Sequence, residues 1–138
     1  MLELFKLNIK PLSQNAANGV TKTGRIHKTK EYTHYKYELG FLLPRKLQVP
    51  KGPKKLIMIS GVSRDTADSD NPVKPFQDIL SEFYGFNDRE IYKNSAEKRL
   101  VDKGKEYIAF NLVALTPEEI SRIDQRSKPK ITADMFGK

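Results

Sequence analysis

The sequence predicts a single α+β domain in which a mixed four-stranded sheet is flanked by helices. With 138 residues, the chain matches the usual size of one domain and leaves room for a small sheet with a few helices. Residues 2–9 alternate polar and apolar side chains as a strand does, whereas residues 76–83 place apolar side chains along one helix face. Because both patterns occur in one short chain, we expect strands and helices to share one core.

The amino-terminal half predicts a strand, a loop and a helix. The strand at residues 2–9 directs three apolar side chains to one face, namely Phe5, Leu7 and Ile9. Residues 13–24 are rich in Asn, Ser, Gly and Thr, which predicts a loop. Residues 29–43 have helical composition and end at Pro44. Four side chains of this helix lie near the helical repeat: Tyr32, Tyr35, Leu39 and Leu42.

The middle of the chain predicts a buried strand and an amphipathic helix. Residues 56–59 form a continuous apolar run typical of a buried strand, and a polar loop follows it. The next helix carries an apolar stripe formed by Phe76, Ile79, Leu80 and Phe83. Asn71 is a suitable N-cap, but a helix that begins at Pro72 would lose one hydrogen bond at Pro75. The helix is predicted to end near Gly85, a residue type common after helix ends.

The carboxyl-terminal part predicts a hairpin followed by a short helix. Residues 90–100 and 105–113 have strand character and are separated by a turn at 102–104. Thr116 and Glu119 have the spacing of a capping box, with proline at the first helical position. We therefore expect a hairpin and then a helix that begins at Thr116.

The charge of the chain is unevenly distributed. Residues 1–67 hold 13 Lys and Arg against 4 acids, a net of +9, whereas residues 68–138 hold 12 against 13, a net of −1. A basic half of this kind is typical of a polyanion-binding surface. Residues 1–115 are predicted to form the domain, and residues 116–138 to form the short helix and a flexible basic tail.

Several classes of protein are excluded or disfavoured by composition. The chain has no Cys, so it has neither disulfides nor a Cys-ligated zinc site. No apolar run approaches the roughly 20 residues of a spanning helix, and the first ten residues lack the apolar core of a signal peptide. We therefore expect a soluble, cytoplasmic protein with no membrane partner.

The basic half supplies candidate phosphate contacts. As a group these side chains predict DNA binding that weakens steeply with salt. The candidates are Lys22, Arg25, Lys28, Lys30, Arg45, Lys46, Lys51, Lys54, Lys55 and Arg64. Arg64 lies four residues before Asp68 in sequence and is the best candidate to contact the phosphate beside the acidic residues that follow it. Three tyrosines are candidates for base stacking, although packing of at least one into the core is the commoner outcome: Tyr32, Tyr35 and Tyr37.

Acidic side chains gather between the predicted buried strand and the amphipathic helix. Asp68 and Asp70 precede that helix, Lys74 lies within it and Asp88 follows it. If residues 68–70 are extended, the two aspartates point to the same side, about 6 to 7 Å apart. Carboxylate oxygens favour Mg²⁺ or Mn²⁺, which can activate a water for phosphodiester hydrolysis. Lys74 would neutralise charge on the phosphate.

A plainer interpretation of the same residues stays open. Aspartates before a helix commonly serve as caps and as partners of the helix dipole. Lys74 and Asp78, at i and i+4, also match an ordinary surface ion pair worth a few tenths of a kcal/mol. On this alternative the chain is a non-catalytic nucleic-acid-binding module.

A longer motif resembles the RusA-type Holliday junction resolvases. That family has the pattern D-x-D-N-x-x-K-x-x-x-D-x-L, then D-D-x-x-V, then K. The matching residues here are Asp68, Asp70, Asn71, Lys74, Asp78 and Leu80, then Asp88 and Ile91, then Lys98. The loop that begins at Pro11 and the basic segment 25–29 are similar to the family's amino-terminal motifs. The resemblance covers roughly residues 3–113.

The resemblance implies a homodimeric, magnesium-dependent endonuclease that resolves four-way DNA junctions, often encoded by phages and prophages. The implied metal ligands are Asp68, Asp70 and Asp88, and Lys74 is the implied catalytic lysine. On this basis Asp78 would orient Lys74, and Lys98 would contact phosphate or support the site. The sequence departs from the pattern at two positions: Asn87 replaces an acid and Pro75 follows the lysine directly.

The position of Asp88 sets a geometric condition. A helix over residues 72–83 carries the chain roughly 17 Å away from Asp70, and residues 84–88 span about 17 Å when extended. Asp88 therefore either returns along a nearly straight connection in its own subunit or approaches the site of the partner across the dimer interface.

Overall fold

The computed structural model describes residues 3–126 and has the predicted α+β architecture. The flexible tail predicted beyond residue 125 lies almost entirely outside the described residues. The strands are β1 (Phe5–Leu7), β2 (Asn18–Val20), β3 (Ile26–Lys28), β4 (Lys54–Val62), β5 (Ile91–Leu100) and β6 (Tyr107–Ala114). The helices are α1 (Gln14–Ala17), α2 (Lys30–Leu42), α3 (Val73–Tyr84) and α4 (Pro117–Ile123), and a 3₁₀ turn spans Asp88–Glu90.

The main sheet is mixed and has four strands, as predicted, in the order β1-β6-β4-β5. β4 pairs with β5 in parallel and with β6 in antiparallel orientation. The predicted hairpin of β5 and β6 is therefore wrong, because β4 lies between the two strands. Burial explains this arrangement: β4 buries alternate side chains, whereas β5 is largely exposed and forms an edge. The connection from β4 through α3 to β5 is a βαβ crossover.

The core lies between one face of the sheet and the helices. Leu56 and Met58 of β4 are fully buried, and the Phe76 ring of α3 meets the Phe110 ring of β6 edge-on at 5.1 Å. Phe76, Ile79 and Leu80 form the buried stripe predicted for α3, and Phe83 packs against the core while partly exposed. On α2, three of the four residues placed near the helical repeat are buried: Tyr32, Tyr35 and Leu39. The fourth, Leu42, is 39% exposed, and Leu43 is buried instead.

Helix boundaries follow local chemistry. α3 begins at Val73, so Pro75 occupies the third helical position, where the N–H has no partner within the helix, and the expected loss of a hydrogen bond does not arise. Asn71 does not cap this helix. Gly85 ends it in the left-handed conformation, with φ of 73°. α4 begins with the predicted capping box, in which Thr116 and Glu119 bond each other's backbone N–H groups.

The segment 13–24 differs from the predicted loop. Ser13 caps α1 by accepting a hydrogen bond from the Ala16 N–H at 3.1 Å. β2 follows α1 directly and pairs with β3 in a separate two-stranded hairpin. These elements are only three or four residues long, so they carry too little periodicity to be seen in sequence. Within residues 3–126, no helix has the length and apolar character needed to cross a membrane.

Candidate functional site

The loop that carries Asp68 and Asp70 leaves the carboxyl end of β4. Lys98, on the neighbouring strand β5, reaches this loop and donates hydrogen bonds from Nζ to the carbonyl oxygens of Asp65 and Ala67, the second at 2.7 Å. The Gln14 N–H of α1 bonds the Asn71 carbonyl oxygen at 3.0 Å on the other side. Contacts from two separate elements therefore fix the backbone on either side of the two aspartates.

The side chains of Asp68 and Asp70 are exposed. Within residues 3–126, neither carboxylate accepts a hydrogen bond or forms an ion pair, although the Asp70 carbonyl oxygen accepts the Val73 N–H at 3.1 Å. The chain bends at Ser69 and Asp70 instead of running extended. The same-side arrangement expected of an extended segment therefore does not apply, because strand alternation requires a regular strand.

Lys74 is the centre of a small ionic cluster at the start of α3. Its Nζ donates to Asp78 Oδ1 at 2.8 Å and to Asp88 Oδ2 at 3.4 Å. The Lys74 side chain is 51% exposed, whereas those of Asp78 and Asp88 are 25% and 34% exposed. The hydrogen bond that Lys74 donates to Asp78, and secondarily the contact with Asp88, raises the pKa of Lys74 above its ordinary value. Lys74 is therefore a protonated cation at neutral pH, with one firm and one longer carboxylate contact.

Asp88 reaches this cluster within its own chain. It begins the 3₁₀ turn after α3, and Asn87 caps that turn by accepting the Arg89 N–H at 2.9 Å. The last residue of the turn, Glu90, binds the ammonium group of Lys54. Lys54 is 0% exposed and also donates to the Gly52 carbonyl oxygen at 2.8 Å. A buried cation thus anchors the turn that brings Asp88 to Lys74, so a partner subunit is not needed for this contact.

Burial also corrects one predicted phosphate contact. Lys54 has no exposed surface, so it does not reach DNA, and its role is to hold the turn. The prediction overlooked this role because a lysine at the start of a strand looks like any surface cation. No local pattern in the sequence pairs Lys54 with Glu90, because the two residues are 36 positions apart.

The donor chemistry bears on the implied metal. Residues 3–126 contain no group of three or more His, Asp or Glu side chains arranged to hold a metal ion, so the three aspartates do not form a ready three-carboxylate cage. Asp68 and Asp70 nevertheless offer free carboxylates, which suit Mg²⁺ bound by one or two carboxylates and completed by water and phosphate oxygens. The residues therefore fit a metal whose coordination is completed by the substrate.

Tyr32 of α2, one of the tyrosines considered for base stacking, lies near the ionic cluster. Burial raises its pKa, and the nearby carboxylates of Asp78 and Glu82 raise it further. The Lys28 ammonium lies 4.6 Å above its ring. Tyr32 is therefore close enough to the ionic cluster to be affected by its charges, and its ring contacts Lys28 of the basic segment. Of the three candidate stacking tyrosines, Tyr32 and Tyr35 are buried, whereas Tyr37 is 66% exposed.

Some of the remaining predicted DNA contacts are exposed, whereas others already interact with groups of the protein. The exposed ones are Lys22, Arg25, Lys28, Lys30, Arg45, Lys46, Lys51 and Arg64, whereas Lys55 is half-buried beside Glu119. Lys98 is half-buried and is occupied by the two loop carbonyl oxygens. The Asp78 contact with Lys74 has the geometry that an orienting role requires, and that role stays a prediction.

Comparison with known proteins identifies no family for this chain, because no protein-family model matches it and no curated protein matches it.

Proposed function

We propose that this protein is a magnesium-dependent endonuclease that resolves four-way DNA junctions by paired phosphodiester hydrolysis, in recombination and repair. The observation that carries the proposal is the contact between Lys74 and Asp88, which lie 14 residues apart. This contact brings together the lysine and one acid of the RusA-like motif. They meet at α3, the helix that follows the loop of Asp68 and Asp70. The convergence of charged groups from separate elements is typical of functional sites.

Lys74 has the properties required to stabilise phosphate charge. It is half-exposed, so a phosphate oxygen can approach it, and its raised pKa keeps it cationic at neutral pH. Such a cation favours the transition state, in which negative charge develops on the phosphate and the leaving oxygen. Asp78 holds Lys74 by the shorter contact and would keep it oriented while the substrate binds.

The proposed metal ligands are Asp68, Asp70 and Asp88, with Mg²⁺ as the ion and Mn²⁺ as its substitute. A bound ion would supply an activated water and stabilise the attacking and leaving oxygens. The 3.4 Å contact from Lys74 to Asp88 is longer than a normal charge-assisted hydrogen bond. Lys74 can therefore release Asp88 while it stays bound to Asp78, which would free the Asp88 carboxylate.

Resolution of a junction requires two equivalent cuts, so the proposal includes a homodimer. A two-fold symmetric protein places two identical sites at a fixed separation, which matches the symmetry of a four-way junction. Sedimentation of the protein bound to junction DNA would reveal two subunits per junction. A single subunit per junction would contradict this part of the proposal.

A second candidate function is a non-catalytic nucleic-acid-binding module. One observation favours it: the described residues lack a three-carboxylate group, and Asp68 and Asp70 are individually solvated. On this alternative the Lys74–Asp78 pair is an ordinary surface ion pair, and the protein binds DNA through its basic half alone.

Cleavage of a synthetic four-way junction separates the two functions. The junction and a linear duplex of matching sequence are incubated with the protein, with Mg²⁺ or with a chelator. The nuclease proposal predicts paired nicks in the junction, only with Mg²⁺, and little cutting of the duplex. Binding of the junction without any cleavage in Mg²⁺ or Mn²⁺ would support the binding module instead.

A further inference from the structure

The hairpin of β2 and β3 exposes an apolar pair. Val20 and Ile26 lie directly opposite each other in the antiparallel register and are 70% and 77% exposed. The turn that joins them is closed by a 2.8 Å hydrogen bond from the Thr21 N–H to the Arg25 carbonyl oxygen, and Gly24 in this turn has φ of 86°. A cross-strand aliphatic pair normally packs against a core. Here no part of the described chain covers it.

The surroundings of this pair are strongly basic. Residues 4–30 contain no Asp or Glu. Lys22 and Arg25 lie in the turn, Lys28 ends β3 and Lys30 begins α2. None of these four side chains forms an ion pair within residues 3–126. Uncompensated cations around an exposed apolar pair are complementary to a polyanion that also presents apolar surface, as DNA does with its phosphates and its base faces.

The hairpin is fixed at its base and lies beside the candidate site. The Thr29 hydroxyl donates to the Ala16 carbonyl oxygen at 2.7 Å, and the Thr29 N–H donates to that of Ala17 at 3.0 Å. Ala17 is fully buried. The Gln14 N–H bonds the Asn71 carbonyl oxygen, one residue after Asp70. The base of the hairpin is therefore tied to the loop of the candidate metal ligands, and its apolar pair lies away from that anchor.

A cleft beside the hairpin provides a path for the sugar-phosphate backbone. Its volume is about 430 Å³, and it is lined by Lys28, Thr29, Lys30, Thr33, His34 and Tyr37. Two of these side chains are cations, and the exposed Tyr37 carries a hydroxyl group that can donate to a phosphate oxygen. A strand of DNA in this cleft would pass close to the exposed pair on the hairpin.

We propose that this hairpin is a DNA-contacting arm whose Val20–Ile26 pair packs against unstacked bases at the branch point, while Lys22 and Arg25 bind the flanking phosphates. The inference rests on the proposed junction-binding function. Base faces are hidden by stacking in a linear duplex, but they are accessible where strands exchange. DNA-bending proteins commonly insert apolar side chains between neighbouring bases. The pair therefore favours branched over linear DNA, whereas the cations favour both.

Binding measured in chelator, without cleavage, tests the proposal. Val20→Thr with Ile26→Thr removes the apolar surface and keeps the β-branched shape that suits a strand. We expect this variant to bind a fluorescent four-way junction about tenfold more weakly, since about 1.4 kcal/mol of apolar contact is lost. Its affinity for a linear duplex should change less than about twofold.

Matched variants separate the two roles. Lys22→Ala with Arg25→Ala should weaken junction and duplex binding by similar factors and reduce the salt dependence of both. Val20→Ile with Ile26→Val keeps the apolar surface and should bind as the unmodified protein does. Ile123→Ser removes an apolar side chain, 42% exposed on α4, and should leave junction preference unchanged. Thermal melting of each variant checks that the fold is retained.

The outcomes distinguish this inference from the proposed function. One outcome is that the double threonine variant and the unmodified protein both prefer the junction to the same degree. In that case the proposed role of the Val20–Ile26 pair is wrong, and the nuclease proposal stands. Equal weakening on junction and duplex would likewise overturn the role of the apolar pair. If the unmodified protein shows no preference for the junction, the proposed function itself fails.

Discussion

The two sides of the candidate site are organised in different ways. On the α3 side, side chains contact one another: Lys74 joins Asp78 and Asp88. On the loop side, Asp68 and Asp70 project into solvent, and only their backbone neighbourhood is tied down, by Lys98 and by Gln14. One side is therefore ordered by charge pairing, and the other by backbone hydrogen bonds that leave the carboxylates free.

This difference has a chemical consequence for cation binding. A carboxylate that is paired with an ammonium group has part of its charge neutralised, so a divalent cation must compete with that group. Free carboxylates carry no such cost. On the proposed function, Asp68 and Asp70 would hold a divalent ion without displacing another cation, whereas Asp88 would join them only after Lys74 releases it.

Removal of the Asp88 charge tests the α3 side. Asp88→Asn should lower the rate of Mg²⁺-dependent junction cleavage by at least about a hundredfold, because it removes one proposed metal ligand. Single-turnover kinetics of junction cleavage measure this rate. Asp102→Asn, at an exposed turn, makes the same change of charge away from the site and should cleave normally. Equal cleavage rates for Asp88→Asn and Asp102→Asn would mean that Asp88 is not part of the site.

Loss of the Lys98 anchor tests the loop side. Lys98→Met removes two charge-assisted hydrogen bonds to the loop, each typically worth about 1.5 to 3 kcal/mol, and should lower the cleavage rate about tenfold by misplacing the aspartates. Backbone amides of the loop should exchange faster with deuterium. Lys93→Met on the same strand is the matched control. If Lys98 instead contacts phosphate, junction affinity and its salt dependence would fall with no change in loop exchange.

The smallest effect concerns the stability provided by the Lys74–Asp78 pair. Asp78→Asn should lower the free energy of unfolding at neutral pH by only a few tenths of a kcal/mol, because the pair is partly exposed. The pKa of Lys74 is raised in the folded state, so the contribution is full at neutral pH and is lost only as pH rises through that raised, alkaline value. Denaturant titrations at neutral and alkaline pH measure both. A loss of several kcal/mol would mean that Asp78 has a structural role beyond this pair.

Local patterns in the sequence predicted those features that depend on nearby residues. The apolar stripe of α3, the capping box of α4 and the i, i+4 spacing of Lys74 and Asp78 each involve a few neighbouring positions. The strand order was not predictable in this way, because β4 separates β5 from β6 through burial that only the whole sheet defines. The turn carrying Asp88 likewise depends on the buried Lys54, which is distant in sequence. The β2–β3 hairpin was missed because its strands have only three residues each.

The most direct test of the central claim is the pair of variants Asp70→Asn and Asp65→Asn, assayed on a synthetic four-way junction. Both residues are exposed aspartates of the same loop, and both changes remove one negative charge without adding repulsion toward phosphate. We predict that Asp70→Asn abolishes Mg²⁺-dependent nicking while it retains junction binding, and that Asp65→Asn cleaves as the unmodified protein does. Undiminished cleavage by Asp70→Asn in Mg²⁺ would contradict the metal-dependent mechanism.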